Sequence, residues 1–169
     1  YNMFTIKPRK GSFLMKDLFS PYKFKDLELK NRVVMPPMCQ YSVDKKDGIA
    51  TDWHFMHYVS RAIGGTGFII VEMTDVEPDG RISDFDLGLW SDEQIPALKR
   101  IVDACHSYGA KVGIQIAHAG RKAEDAEVPV APSAIPFDEK STLPRALSTQ
   151  EVKEMVEKFR GAVARAVKA

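Results

Sequence analysis

The chain has only two cysteines among its 169 residues, and Cys39 and Cys105 lie far apart. This argues against a disulfide framework or a thiolate zinc site, and it favours a reducing compartment. No apolar run approaches the roughly 18 residues of a membrane-spanning helix. The 24 basic and 23 acidic residues nearly cancel, so the charge signature of a nucleic-acid-binding protein is missing. These absences predict a soluble cytoplasmic protein without nucleic-acid or membrane partners.

Internal repeats and low-complexity tracts are also missing, and a single pattern runs along the chain. Short β-branched runs alternate with longer amphipathic segments, which is typical of βα units around a parallel sheet. A small hairpin is predicted over residues 22–29, and strands are predicted over residues 32–35, 67–73 and 111–117.

Three helices are predicted to follow these strands, and capping residues mark their starts. The first begins at Thr51 or Asp52, both good N-cap residues, and ends at Gly64. Ser91 and Ser148 begin the other two, each with a glutamine or glutamate three residues later that completes a capping box. The predicted fold class is therefore α/β, with a hairpin followed by three βα units.

The longest connections follow the strands, at residues 36–50, 74–90 and 118–147, whereas the helix-to-strand turns are short. This asymmetry places function at the carboxyl end of the sheet, both in barrels and in open α/β folds. A flavodoxin-like open sheet is the alternative. No phosphate-binding glycine loop follows the first strand, and the glycines at residues 64–67 precede a strand instead of opening a helix. Both observations disfavour that alternative.

A thiol and a phenol follow the first strand. Cys39 and Tyr41 lie two positions apart, just after Pro36 and Pro37. A cysteine beside a flavin can shift its redox potential, and a phenol can donate a hydrogen bond to a substrate carbonyl. Taken alone, the pair is better explained as a buried small hydrophobe and a loop tyrosine, because free cysteine is commonly just buried.

Polar residues also occur in and after the third strand. Gln115 stands between two isoleucines, where an amide needs hydrogen-bonding partners. It can serve a polar heterocycle or make a structural hydrogen bond. His118, Arg121 and Lys122 follow at the rim, where they can serve an anion, a carbonyl or the backbone of their own loop.

Two further features have structural explanations as well as functional ones. Glu72 ends the apolar run of the second strand and needs a partner at that depth, for which an Arg or Lys is as good a candidate as a catalytic role. His54 and His57 have the spacing of a helical metal pair but lack further ligands. They are predicted to be exposed or capping residues.

Together the motifs resemble the Old Yellow Enzyme family, specifically its bacterial subgroup with a cysteine near the flavin. The resemblance rests on ordered motifs in residues 29–35, 37–42, 53–64, 80–82, 87–93, 115–122 and 131–134. It implies a TIM barrel with one non-covalent FMN. It also implies that NAD(P)H reduces the flavin, which passes hydride to the β-carbon of an activated alkene such as an enone.

Site residues are carried over from the family by matching motif. Flavin contact is implied for Pro36, Pro37, Met38, Cys39, Met73 and Gln115. Cys39 tunes the potential of the ring, and Gln115 hydrogen-bonds its pyrimidine end. Tyr41 holds the substrate carbonyl and counts with Cys39 as catalytic, and Lys122 lies near the substrate entrance. No metal is implied.

The chain departs from the family in sequence and in length. Met73 replaces a residue that is usually small, and Pro36 often has serine as its counterpart. A complete barrel needs about 250 residues, so this chain is expected to be the N-terminal portion, residues 15–169. Residues 1–14 are expected to be an extension or a cloning remnant. The family's substrate-binding histidine pair, its proton-donating tyrosine and its flavin-phosphate loops belong to the C-terminal part.

Three predicted strands leave one face of the sheet uncovered, which exposes apolar surface. We therefore expect a partner: the C-terminal barrel half, from the same protein or a separate chain, and a homo-oligomeric assembly. The isolated chain is expected to be inactive. The alternative is a non-enzymatic half-barrel that self-associates without flavin.

Overall fold

The computed structural model describes residues 17–169, so the expected extension over residues 1–14 and its boundary lie outside the described residues. The chain opens with an antiparallel hairpin of β1 (Tyr22–Phe24) and β2 (Leu27–Leu29). The remaining elements follow in the order β3 (Val34–Met35), α1 (Asp52–Ile63), β4 (Phe68–Asp75), β5 (Leu87–Gly88), α2 (Ile95–Ser107), β6 (Lys111–Ala117), β7 (Val130–Ala131), β8 (Arg145–Ala146) and α3 (Thr149–Lys168).

The main sheet is parallel, with β4 at its centre. It pairs with β3 and β5 along one edge and with β6 along the other. The three long helices follow the three principal strands, so the predicted hairpin and three βα units are confirmed. The predicted long connections contain short elements of their own: β5 lies in the second connection, and β7 pairs with β8 in the third.

The first strand is shorter than predicted because a side chain organises its entry. Asn31 accepts a hydrogen bond from the Val33 amide at 3.0 Å and donates one to the Gly65 carbonyl at 2.7 Å. The Val33 carbonyl then accepts from both Gly67 and Phe68. Regular parallel pairing consequently begins at Val34 rather than at residue 32.

The second strand is longer than predicted. It continues through Thr74 and Asp75 because both residues pair with β5 on one side and with β6 on the other. Since β5 has only two residues, its sequence carries no periodic signal of its own. Its pairing nevertheless extends the sheet on the side where the predicted site lies.

The core lies between the sheet and its helices. The helix-facing side chains of β4 include the buried Ile69 and Val71, and those of β6 pack partly buried against the same cluster. The residues that the helices and the two strands contribute to this core include Tyr58, Val59, Ala62, Leu98, Ile101, Cys105, Val112, Ile114, Ile116 and Ala162. The opposite face of β6 carries the exposed Lys111 and Gln115. One face of the sheet is therefore covered by helices, while the other presents residues near the carboxyl edge.

The predicted capping boxes of the second and third helices are confirmed. Ser91 and Gln94 cap a 3₁₀ turn that leads directly into α2, and Ser148 and Glu151 cap α3. The first helix begins at the predicted Asp52, after the N-cap residue Thr51. These signals work from sequence because donor and acceptor lie within three residues of each other.

Candidate functional site

A β-bulge in β4 shapes the carboxyl edge of the sheet. Val71 pairs with Ile114 of β6 and Thr74 pairs with Ile116, so β4 contains one residue more than its partner strand over this stretch. Bulges re-aim side chains and are frequent beside active sites. Glu72 and Met73 lie within this bulge, and the register places Gln115 opposite them. Two predicted flavin-contact residues, Met73 and Gln115, are therefore neighbours on adjacent strands.

The loop after β3 brings its thiol and phenol to the same edge. Burial raises the pKa of the Cys39 thiol, the negative charges of Asp86 and Glu72 raise it further, and the backbone amide of Met73 opposes the rise. Burial also raises the pKa of the Tyr41 hydroxyl, with a contribution from the neighbouring Cys39 sulfur. Both groups are therefore protonated at neutral pH, which makes each of them a hydrogen-bond donor.

The remaining predicted flavin contacts lie on the rim of the same edge. Pro36 and Met38 are exposed, and Pro37 and Met73 are half-buried. Gln115 is exposed rather than enclosed among protein partners, so its amide is accessible from the open face of the sheet. A Cβ added at Gly113, two residues before Gln115, would contact only the Phe68 ring, whose edge would lie 3.0 Å away.

Tyr41 and Lys122 line one cavity of about 470 Å³ beside this edge. Arg121 contributes a second cation to its wall, and both cations lie over the Phe137 ring. The Lys122 Nζ atom is 4.0 Å from the ring centroid, and the guanidinium carbon of Arg121 is 5.7 Å away. The structure thus brings together the two residues predicted to serve a substrate, in a polar cavity whose wall carries basic residues and also the acidic Glu124 and Asp138.

His118, which the sequence left open between several roles, is a structural residue. Its Nε2 lies 2.8 Å from Glu77, and its Nδ1 accepts from the Gly120 amide at 2.9 Å. Glu77 also pairs with Lys158 of α3. The hydrogen bond from His118, together with Lys158, lowers the pKa of the Glu77 carboxyl to about 2. Of the three alternatives for His118, the bond from Gly120 matches the backbone of its own loop, and the bond to the Glu77 side chain joins it to the preceding βα connection.

The helical histidines correct one part of the prediction. His54 is a capping residue as predicted, since its Nδ1 accepts from the Thr51 amide at 3.0 Å, but it is fully buried. His57 is also buried, not exposed, and burial lowers its pKa. The α1 face that carries both histidines packs towards β4, where Glu72 lies 3.8 Å from His54.

Glu72 has different partners from those expected. Instead of an Arg or Lys, it accepts hydrogen bonds from the Tyr58 hydroxyl at 2.6 Å and from the Gln40 amide at 2.8 Å. Tyr58 is a helix residue 14 positions earlier in the sequence, so no local pattern announces the pair. Burial beside this carboxylate raises the pKa of the Tyr58 hydroxyl above its ordinary value.

Sequence analysis missed a group of buried acids at the end of β4. Both carboxylate oxygens of Asp75 are buried without a hydrogen-bond partner, as is one oxygen of Asp86. Burial raises the pKa of Asp75 to about 8, with a further rise from Asp86 that Arg81 partly offsets. Arg81 is itself occupied by Asp84 and by the carbonyls of Lys46 and Pro78. An acidic residue ending an apolar strand is the only sequence signal for such a site, and it is a weak one.

The fold and the site together define the class: an α/β protein of the parallel-barrel type, with its candidate site at the carboxyl edge of the strands. The chain belongs to the NADH:flavin oxidoreductase / NADH oxidase family, whose sequence profile matches residues 17–169. It is 64% identical over 155 residues to an NADPH dehydrogenase of Listeria monocytogenes serotype 4a (strain HCC23). The matched region covers 92% of this chain and 46% of the relative.

Solved structures agree with this assignment. Morphinone reductase matches with a TM-score of 0.82 at 30% identity, covering 93% of this chain and 46% of that chain. The Old Yellow Enzyme from Pichia sp. AKU4542 matches with a TM-score of 0.83 at 27% identity, covering 91% and 43%. The resemblance to the Old Yellow Enzyme family is therefore confirmed, and the fold corresponds to the N-terminal half of its TIM barrel.

The chain spans about half the length of the curated relatives it matches. Between residues 17 and 169, none of the helices combines the length and the apolar character that crossing a bilayer requires.

Proposed function

We propose that the whole protein is an FMN-dependent oxidoreductase that uses NAD(P)H to reduce activated C=C bonds of α,β-unsaturated carbonyl compounds. One observation carries the proposal. Cys39, Met73 and Gln115, from three different segments, meet at the carboxyl edge of the sheet, beside the cavity that Tyr41 and Lys122 line. In parallel barrels this edge is where active sites form.

The residues at this edge fit the flavin in chemistry. Gln115 offers an accessible amide, with one donor group and one acceptor, to the polar end of a heterocycle. Cys39, whose raised pKa keeps its thiol neutral, presents a weak S–H donor rather than a negative charge to the ring. Pro36, Pro37 and Met38 form a stiff apolar rim, and Met73 lies beside them on the neighbouring strand β4. Bound at this edge, FMN would supply the hydride-transfer chemistry between NAD(P)H and the β-carbon of the alkene.

The chain's own contribution to the substrate lies in Tyr41 and Lys122. Since the Tyr41 hydroxyl is protonated at neutral pH, it donates a hydrogen bond to the substrate carbonyl, which polarises the conjugated double bond. Lys122 and Arg121, which share the wall with Glu124 and Asp138, offer two cationic groups to the phosphates of an anionic reductant such as NAD(P)H. The C-terminal barrel half and a homo-oligomeric assembly complete the proposal for the whole protein.

Native mass spectrometry tests the proposal on the protein as its gene encodes it. One non-covalent FMN for each copy of residues 1–169, together with NAD(P)H-dependent reduction of an enone such as 2-cyclohexenone, is the expected result. A flavin-free homo-oligomer that does not bind added FMN would contradict the proposal. Such a result would support the non-enzymatic half-barrel instead.

Replacing Gln115 with leucine is expected to weaken FMN binding about 10- to 100-fold, because the ring loses its hydrogen bonds while the shape of the site is kept. Flavin fluorescence titration measures the dissociation constant. Gln150→Leu, on the exposed start of α3, is the matched control and should leave the affinity unchanged. Equal affinities for the two variants would remove Gln115 from the site.

A further inference from the structure

Glu72 is the centre of a closed hydrogen-bond arrangement beneath the loop that follows β3. Its Oε2 atom accepts from the Tyr58 hydroxyl at 2.6 Å, and the Tyr58 oxygen accepts in return from the Glu72 amide at 2.9 Å. Its Oε1 atom accepts from the Gln40 amide at 2.8 Å. Glu72 is fully buried and Tyr58 is 1% exposed, so the arrangement is shielded from solvent.

The position of Gln40 gives this arrangement its significance. Gln40 is the residue between Cys39 and Tyr41, and its backbone amide is the point at which the carboxylate holds the loop. Hydrogen bonds from a backbone N–H to a buried carboxylate are short and about twice as strong as neutral ones. The Gln40 amide is therefore the buried anchor between the two functional side chains, while the Ser42 carbonyl, which accepts from Thr51 at 3.1 Å, and the Val43 amide, which donates to Phe85 at 3.0 Å, hold the loop after Tyr41.

Backbone strain at the neighbouring residue indicates that the anchor is needed. Tyr41 adopts a φ of +50°, in the left-handed region that large non-glycine residues rarely occupy. Such conformations are strained and persist only where the surroundings over-determine them. Tyr41 is half exposed, so its own packing is not what holds it. The Gln40 amide bond supplies the constraint on the residue before Tyr41, and the bonds of Ser42 and Val43 supply it on the residues after.

His54 completes the surroundings of the carboxylate. Because its Nδ1 accepts from the Thr51 amide, the ring proton of the neutral form is on Nε2, which lies 3.8 Å from Glu72 Oε1. That Nε2 atom is buried and has no hydrogen-bond partner. The histidine thus directs a polar N–H towards the Glu72 carboxylate without bonding to it. Tyr58 and Gln40 remain the direct partners of the carboxylate.

We propose that Glu72, oriented by Tyr58, is a positioning residue: it holds the Gln40 amide and thereby sets the placement of the Cys39 sulfur and the Tyr41 hydroxyl. The role in a reaction rests on the proposed function, whereas the anchoring itself does not. Glu72 does not touch the substrate, and its effect reaches the chemistry through the two residues that flank Gln40.

The test measures the anchor directly, without flavin. Amide hydrogen exchange at Gln40 and the pH dependence of Cys39 alkylation by iodoacetamide are compared in the wild type, Tyr58→Phe and Glu72→Gln. Tyr58→Phe removes the group that orients the carboxylate, so Gln40 exchange is expected to accelerate about tenfold. Glu72→Gln removes a charge that raises the Cys39 pKa, so the alkylation midpoint is expected to move to lower pH.

Two internal controls make the result decisive. Tyr108→Phe removes a hydroxyl from an exposed tyrosine after α2 and should change neither quantity. Cys105 is fully buried, with a pKa raised to about 11, and should stay unlabelled in every folded variant. Unchanged Gln40 exchange in both test variants overturns the proposal. Labelling of Cys105 in both test variants also overturns the proposal, since Glu72 and Tyr58 would then support the core as a whole rather than the loop.

A flavin-dependent measurement separates this proposal from the proposed function. In the flavin-loaded enzyme, Tyr58→Phe is expected to lower kcat by a factor about ten times larger than the factor by which it changes KM. The reason is that a misplaced donor weakens interactions made in the transition state. Absence of bound flavin would contradict the proposed function while leaving the exchange and alkylation results valid. Equal kcat values for Tyr58→Phe and Tyr108→Phe in an active enzyme would overturn the positioning role.

Discussion

Asp75→Asn is expected to raise the free energy of unfolding at pH 8 by about 5 kcal/mol while changing it little near pH 4. The folded-state pKa of Asp75 is about 8 because its carboxylate is buried without hydrogen-bond partners. An unfolded aspartate titrates near pH 3.9. Between these values the folded state holds one more proton than the unfolded state, so stability falls as pH rises. Asparagine resembles the protonated form and removes that dependence.

Urea unfolding at pH 4, 6 and 8 measures the effect. Asp79→Asn, at an exposed site in the neighbouring 3₁₀ turn, is the control for a change in net charge. Parallel pH profiles for the wild type and Asp75→Asn would show that the buried carboxyl is not protonated in the folded protein.

Glu77 has the opposite dependence and contributes to the loss of stability in acid. The folded-state pKa of Glu77 is about 2, below the ordinary value of about 4.5. The ionised carboxylate therefore stabilises the fold above pH 4.5, and this stability is lost as pH falls from about 4.5 to 2. The wild type is therefore expected to be most stable in mildly acidic solution, between the two titrations.

Gly88→Val is expected to lower the free energy of unfolding by about 3 kcal/mol, the upper end of the usual cost of overpacking. An added Cβ at Gly88 would lie 2.0 Å from the Trp90 ring. The ring has little room to withdraw. A Cβ added at Gly48 would lie only 2.6 Å from it, and the Arg81 guanidinium lies over it at 5.4 Å from the ring centroid. The clash would also disturb the bond from the Gly88 amide to the Gly48 carbonyl, 2.9 Å long.

Gly161→Ala provides a control of opposite sign. Gly161 lies within α3, where a Cβ meets only the flexible end of Arg165 at 3.1 Å, so alanine is expected to stabilise the helix by about 0.5–1 kcal/mol. Thermal unfolding of both variants measures the difference. A Gly88→Val protein as stable as the wild type would mean that Trp90 can leave its place without cost.

Local signals of the fold were predicted well from sequence. Ser91 and Ser148 begin capping boxes as expected, because each bond joins residues only three apart. The strand pairing was less accessible. β5 has two residues and no periodicity, and it exists because Thr74 and Asp75 of β4 supply its partners.

The candidate site divides in the same way. The positions of Cys39, Tyr41 and Lys122 along the chain, together with the family motifs, were enough to predict that they lie at one edge. The partners of Glu72 were not predictable, because a bulge in strand register decides that this carboxylate meets Tyr58 of a helix and the amide of Gln40.

The sequence by itself determined the order of βα units, the helix starts, the family and the edge at which the site lies. These depend on period, on capping over three residues and on ordered motifs, all of which are local properties of the chain. Only the tertiary structure decided that Glu72 holds the loop, that His118 binds Glu77 and that Asp75 is buried without a partner. Those outcomes depend on which distant side chains share a low-dielectric interior, where each polar group must find a partner or shift its pKa.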